Sequence, residues 1–426
     1  MDIVVLYTLL LLLISLIFFG WFENTLHIKA LGKIPLRIHV NGSRGKSSVT
    51  RLVAAGLRSG GLKVLAKTTG SAPRIIDENG KDLVIHRLRT PSIGEQVKLL
   101  RYFAEKKPDA VVMECMAVDP QYQWIAEHKM VQSHIGVITN VRPDHLEEMG
   151  PSMKDITFSL SNSIPDNGQF LTVQSPFNKH LRHISNERNT TFHEVDTDDV
   201  TPEYLSKFPF LEHDENVALA LKVCELAGVE KKTAKKGMLN THPDPGALVL
   251  WELEFGEQKN NFLSAFAAND PESTLKIWNL VQERLTKQSV CVFLNTRSDR
   301  RHRTQQLVSL VNKYIKPDTF IIRGENFQQA VNQELKSLTA EVLIHPLRAT
   351  PEDLIDELKK LNNTFIFGIG NIVGWGESFV SELKQFKING LDCHRYWDCL
   401  KSCAHRNGRC DRWWGYCSRI YCSLSS

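Results

Sequence analysis

The stretch that decides the fold is "IHVNGSRGKSS", residues 38–48. It ends in the Gly-Lys-Ser of a phosphate-binding loop. The common spacing G-x-x-x-x-G-K-[ST], however, requires a glycine where this chain has Val40. The nearest upstream glycine is Gly42, so the loop reads G-x-x-G-K-S. A β-rich run precedes it, and a helical run follows over 46–60 with Val49, Leu52, Val53, Gly56 and Leu57 on one face. In that setting Gly42 and Gly45 let backbone N–H groups turn inward, and the helix start adds partial positive charge. Lys46 is then placed for β/γ-phosphates and the Ser47 hydroxyl for Mg²⁺. Asn41, Ser43, Arg44 and Ser48 complete the expected nucleotide-binding loop. The competing reading is a Gly-rich turn before a helix, with Lys46 simply solvated.

Outward from the loop, apolar β-rich runs at 36–40, 63–67, 109–115, 135–141 and 168–173 alternate with helical stretches, which predicts a mostly parallel sheet covered on both faces. "THPDPGA", 241–247, breaks the periodicity. Beyond it a second series predicts strands near 248–254, 261–267, 289–295, 319–323 and 364–369, with helices at 271–287, 304–315, 325–337 and 350–361. The expected fold is therefore α/β: a parallel-sheet ATPase domain over 29–245, then a smaller Rossmann-like α/β domain over 246–390.

Residues 3–22 carry no charge and are long enough for a bilayer core. Apolar residues cover every face of that run, unlike a core helix. Asp2 and Trp21-Phe22-Glu23 flank it, a poor match to a cleaved signal peptide. Lys29, Lys33 and Arg37 follow it, so the positive-inside tendency predicts a single-span anchor over 1–28 in the cell membrane with a cytoplasmic body. Through residue 390 the cysteines are Cys115, Cys224 and Cys291, each in an apolar setting suited to a reducing compartment. The other six fall in 391–426 without a C-x-x-C pair, and that tail is expected to be a non-native or disordered extension. The net charge of +4, without a long Lys/Arg run, gives no reason to expect a nucleic-acid partner.

Two more strand ends offer what a metal–nucleotide site needs. "DAVVMECMAVDP" puts Glu114 at the end of an apolar strand, where an unpaired carboxylate is costly. "IGVITNVRPDHLEEMG" ends its strand at Asn140 and then delivers Asp144 and His145. A carboxylate paired with an arginine and a helix-capping Asp-His are the plainer readings. Thr68-Thr69-Gly70 with Arg74, and "RTPS" at 89–92, read either as substrate-binding loops or as surface turns.

The ordered set "NGSRGKSS", "VVMEC" and "TNVRPDHLEEMG" resembles the Mur ligase and folylpolyglutamate synthase superfamily, whose loop G-T-x-G-K-[ST] has this same short spacing. Within it the chain looks most like the poly-γ-glutamate synthase ATPase subunits, which also carry an N-terminal membrane segment. The likeness covers about residues 1–388 and includes "LRTPSIGEQ" and "GIGNIVGWGE". The likeness implies Lys46 and Ser47 at the phosphate and magnesium positions, Glu114 as the carboxylate of a first metal and His145 as the histidine of a second metal. "EHDENVALALKV" is similar to the H-N-x-x-N-x-x-A-A helix, making Asn216 a nucleotide contact, with His213 where the first asparagine would stand. "NTRSDRRHR" is similar to G-D-R-D, placing Asp299 and Arg300 at ribose and phosphate. Where many members carry a carbamylated lysine, this chain has Leu160, with Lys154 nearby.

The resemblance thus implies a ligase with ATP and Mg²⁺ (or Mn²⁺) and catalytic residues Lys46, Glu114, His145 and Arg300. Its expected partners are glutamate, a poly-γ-glutamate chain and membrane protein subunits of a synthase or export complex. The alternatives are a tethered folate or cell-wall ligase, and a membrane ATPase that forms no bond.

Overall fold

Val111, Val112 and Met113 are all buried, although successive side chains of a strand point to opposite faces. Only a strand covered on both sides allows this, as in a parallel sheet between helical layers. The computed structural model describes residues 3–70, 73–85, 92–143, 145–208, 210, 212–243, 248–266, 268, 271–282, 285, 288–297, 301–325 and 335–388. The chain divides into two compact units: Met1–Thr201 with Glu212–Asp244, and Pro202–Leu211 with Pro245–Ser426. The expectations for Asp144, Asp299, Arg300, residues 391–426 and "RTPS" up to Pro91 lie outside the described residues.

Among the described residues the first unit holds eight strands: β1 (Leu36–Asn41), β2 (Val64–Thr68), β3 (Arg74–Ile76), β4 (Asp82–Val84), β5 (Ala110–Glu114), β6 (Ile135–Ile138), β7 (Gln169–Val173) and β8 (Thr191–Val195). Their order is β4-β3-β2-β5-β1-β6-β7-β8. All neighbours are parallel except β2–β3 and β3–β4. The β3–β4 hairpin and β8 are additions to the expected strands. β3 and β4 span three residues each, and β4 and β8 are partly exposed edge strands, so no buried apolar run announces them. β6 ends at Ile138 rather than at Asn140. From Thr139 on, the chain leaves its ladder to bond the phosphate loop, the Thr139 Oγ1 donating to the Arg44 carbonyl at 2.6 Å.

The helix Lys46–Ser59 packs on one face of this sheet with the helices Asp214–Leu226 and Lys231–Met238. Val49, Leu52, Val53 and Leu57 are fully buried there, each burial stabilising by about 2 kcal/mol. On the other face Leu65, Val111 and Met113 pack with Leu100, Phe103 and Ala104 of the helix Glu95–Glu105, and with Ala30 and Leu31. Those last two close a continuous helix, Ile3–Leu31, whose apolar part is exposed and is long and apolar enough to cross a membrane.

The second unit holds β9 (Val249–Phe255), β10 (Gln258–Ser264), β11 (Ser289–Asn295), β12 (Thr319–Arg323), β13 (Glu341–His345) and β14 (Thr364–Gly370), in the order β13-β12-β11-β14-β10-β9. The β9–β10 hairpin is antiparallel and the rest parallel. β10 begins earlier than expected because its polar start, Gln258–Asn261, pairs along β9. Phe320, Phe365, Phe367 and Trp278 centre its core. Cys115, Cys224 and Cys291 are free and buried.

Candidate nucleotide and metal site

β1 delivers the loop to the carboxyl end of its sheet, where parallel α/β sheets bind ligands. Gly42 (φ 129°) and Gly45 (φ 86°) both adopt backbone conformations that other residues rarely take. Neither has room for a side chain: a Cβ on Gly42 would lie 2.1 Å from Thr139 Oγ1, and one on Gly45 would lie 2.5 Å from Asn216 Oδ1. The exit of β6 fixes the loop. The Ser43 amide donates to the Asn140 carbonyl at 3.1 Å and the Arg44 amide to Asn140 Oδ1 at 3.1 Å. Ser43 Oγ donates to the Arg142 carbonyl at 2.8 Å and accepts from the Arg142 amide at 2.9 Å.

Helix Lys46–Ser59 starts at Gly45 with no side-chain cap and no acidic residue in its first turn. Its leading N–H groups are therefore offered to an anion rather than to the protein. Lys46 Nζ folds back on the Gly42 and Ser43 carbonyls at 2.6 and 3.2 Å. Ser47 Oγ donates to Glu114 Oε2 at 2.9 Å, and the Thr69 amide donates to the same oxygen at 2.7 Å. The Thr69 hydroxyl bonds the other carboxylate oxygen. A buried carboxylate supplied with hydrogen bonds and an adjacent hydroxyl forms a hard oxygen pair of the kind Mg²⁺ prefers.

The sequence-derived residues divide on inspection. Strand alternation sets Val40 and Glu114 toward the helix Lys46–Ser59 and turns Asn41 to the opposite face. There the Asn41 amide donates to Gln123 Oε1 at 2.8 Å and to Ser163 Oγ at 3.1 Å, so its side chain serves the interior and not the loop. His145 sits on the β6 exit, half exposed and in the left-handed region (φ 45°), with Nδ1 3.9 Å from Glu148 Oε2. Among the described residues no group of three His, Cys, Asp or Glu side chains is gathered as if for a metal. Leu160 is buried in the core, and Lys154 lies over the Phe158 ring. Arg74 is buried.

One residue escaped sequence reasoning. Glu212 is buried and accepts from Asn216 Nδ2 at 2.8 Å and from the His213 amide at 2.9 Å, with Ser48 as a third partner. Burial pushes its carboxyl up to about 7 against the pull of those bonds. It ties the first turn of the loop helix to the asparagine that abuts Gly45. The only signal in the sequence was a carboxylate just ahead of the "ENVALALKV" helix.

Residues 40–223 match the Mur ligase middle domain, and 250–386 the poly-gamma-glutamate synthase CapB C-terminal domain. The PGA synthase CapB of Bacillus subtilis (strain 168) is 36% identical over 377 residues, 87% of this chain and 96% of that protein. The capsule biosynthesis protein CapB of Bacillus anthracis is 35% identical over 382 residues, 88% and 82% of the two chains. Folylpolyglutamate synthase from Thermotoga maritima shares the fold at TM-score 0.60 and 15% identity, over 86% of this chain and 94% of that one. The bifunctional folylpolyglutamate synthase/dihydrofolate synthase of Yersinia pestis, complexed with AMPPNP and Mn, does so at TM-score 0.58 and 14% identity, over 85% and 92%. With a third of its residues shared along nearly the whole length of a curated relative, this chain belongs to the poly-γ-glutamate synthase CapB family of ATP-dependent ligases.

Proposed function

We propose that the chain extends poly-γ-glutamate by activating a glutamyl carboxylate as an acyl phosphate and joining it to the amine of a glutamate. The observation that carries this reading is the Ser47–Glu114 pair beside an uncapped helix start, with Lys46 folded over the same loop. In the first half-reaction a carboxylate oxygen attacks the γ-phosphorus, the bond to the ADP oxygen breaks and ADP leaves. In the second the amine nitrogen attacks the acyl carbon, the carbon–oxygen bond to phosphate breaks, inorganic phosphate departs and the amine gives up a proton.

The chain's own contribution is positioning and charge neutralisation. Lys46 exchanges its loop carbonyls for phosphate oxygens, the leading amides of the helix Lys46–Ser59 line the anion, and Asn216 holds the nucleotide. Asp299 and Arg300 are assigned to ribose and phosphate by the family pattern. Ser47, Glu114 and His145 would hold magnesium or manganese, which when bound offsets phosphate charge. Residues 3–22 anchor the chain as a single span with a cytoplasmic body, since the basic residues Lys29, Lys33 and Arg37 follow the apolar run. That placement suits transfer of an anionic polymer to membrane protein subunits of a synthase or export complex.

The test is Lys46→Ala in membranes supplied with ATP, Mg²⁺ and glutamate. Polymer synthesis and glutamate-dependent phosphate release should both collapse; undiminished synthesis overturns the loop assignment. Folate-dependent phosphate release would favour a tethered folate ligase instead.

A further inference from the structure

The helix Ile3–Leu31 is not joined to the first unit by a linker; its last turns are built into it. Arg37, the second residue of β1, donates from Nη1 to the Leu31 and Ile34 carbonyls at 2.9 and 3.0 Å. Its Nε and Nη2 reach the Gln132 carbonyl just ahead of β6. The helix therefore ends at the amino edge of the sheet, opposite the phosphate loop.

Followed backward, the helix climbs away from that edge. His27 Nε2 meets the Met130 carbonyl at 2.7 Å. Arg101 then donates to Glu23, at 2.9 Å to its carboxylate and 2.7 Å to its carbonyl, and Lys98 adds its charge to the same carboxylate. Arg101 and Lys98 belong to the crossover helix Glu95–Glu105. That helix starts at the carboxyl edge, where Glu95 pairs with Lys67 of β2 at 3.5 Å, and ends at the amino edge. The two helices run in the same sense. From Ala104 back to Glu95 is about 14 Å, and the same rise back from Leu31 reaches Phe22. Phe22 is the last residue of the uncharged stretch, which is exposed on every side.

We infer that the carboxyl edge of the first unit, with the phosphate loop, Ser47, Thr69 and Glu114, is held facing the surface of the bilayer that the helix enters. The occupant of the exposed apolar helix is lipid. The polymer end being extended would then stay within reach of a partner in the same membrane. This inference rests on the anchor reading above.

The experiment uses the full chain in vesicles of phosphatidylglycerol and phosphatidylethanolamine carrying a headgroup energy-transfer acceptor. A donor is attached through an azide-bearing side chain placed at Glu147, on the β6 exit, or at Glu105, at the amino edge; both are exposed. Transfer from position 147 should exceed that from position 105 by about twofold. A flexible Gly-Ser insert between Phe22 and Glu23 should make the two equal while vesicle flotation persists. Equal or reversed transfer in the uninterrupted chain, with flotation intact, overturns the orientation alone. Failure to float, or association only between copies of the chain, overturns the anchor reading and the orientation with it.

Discussion

Ser47 Oγ lies 2.9 Å from Glu114 Oε2, although sixty-seven positions separate the two residues and one stands in the first turn of a helix, the other at the end of a strand. The contact joins the start of the loop helix to the carboxyl end of β5. It is also the feature on which the proposed metal role is most open to test. Ser47→Ala and Glu114→Gln should each lower glutamate-dependent ATP turnover by at least about a hundredfold, or ~3 kcal/mol of barrier. Thermal melting should shift little for Ser47→Ala. Phosphate-release rates across a magnesium titration check this, and a rate within about threefold of the parent for either variant contradicts it.

Gly45→Ala should weaken nucleotide binding. The added methyl would meet Asn216 Oδ1 at 2.5 Å, and the left-handed backbone costs a further ~1–2 kcal/mol for an L-residue. Asn216→Ala in the same chain removes the clash but not the strain. The two changes should therefore combine to less than the sum of their separate effects. Calorimetric ATP affinities of the single and double variants measure that coupling; strict additivity would mean the two positions do not meet.

Glu212 gives a prediction in pH. Its folded-state pKa, about 7, lies above the ordinary value of 4.5. The folded chain thus holds the proton more tightly, and this contribution to stability is full below pH 4.5 and lost as pH rises through about 7. Glu212→Gln keeps an acceptor for Asn216 while removing the titration. The variant should gain thermal stability relative to the parent across that window, with the two curves closest at the acidic end. Melting temperatures at stepped pH decide it, and a constant offset would show that Glu212 does not titrate there.

In the second unit Arg323 stacks on Trp375 at 4.1 Å and donates to Asn295 Oδ1 at 3.1 Å, and the Trp375 indole donates to the Ala349 carbonyl. Lysine cannot reproduce that planar fork. Arg323→Lys should destabilise the chain by about 2 kcal/mol in urea unfolding. An unchanged midpoint would show that the stack contributes nothing.

Much of this was legible in the chain itself. Val49, Leu52, Val53, Gly56 and Leu57 were spaced for one buried helical face, and all five are buried. The strands lining the loop were legible because central parallel strands must be apolar on both faces. β4 and β13 escaped because edge strands leave polar residues in solvent and lose the alternating signal, and β3 because three residues are too few to show one. Asn41 misled for another reason: adjacency in sequence to a loop does not set which face of the sheet a strand residue serves.

Sequence alone determined the local chemistry: which short segments become strand, turn or helix, where glycines free the backbone, and where a lysine and a hydroxyl follow them. These follow from backbone sterics and side-chain periodicity within a few residues. Only the tertiary structure decided that Glu114 meets Ser47 and Thr69, that Glu212 steadies Asn216 against Gly45, and that Arg101 grips the apolar helix at Glu23. Those outcomes depend on strand order and pairing register, which bring distant residues together through burial and hydrogen bonding that no local window contains.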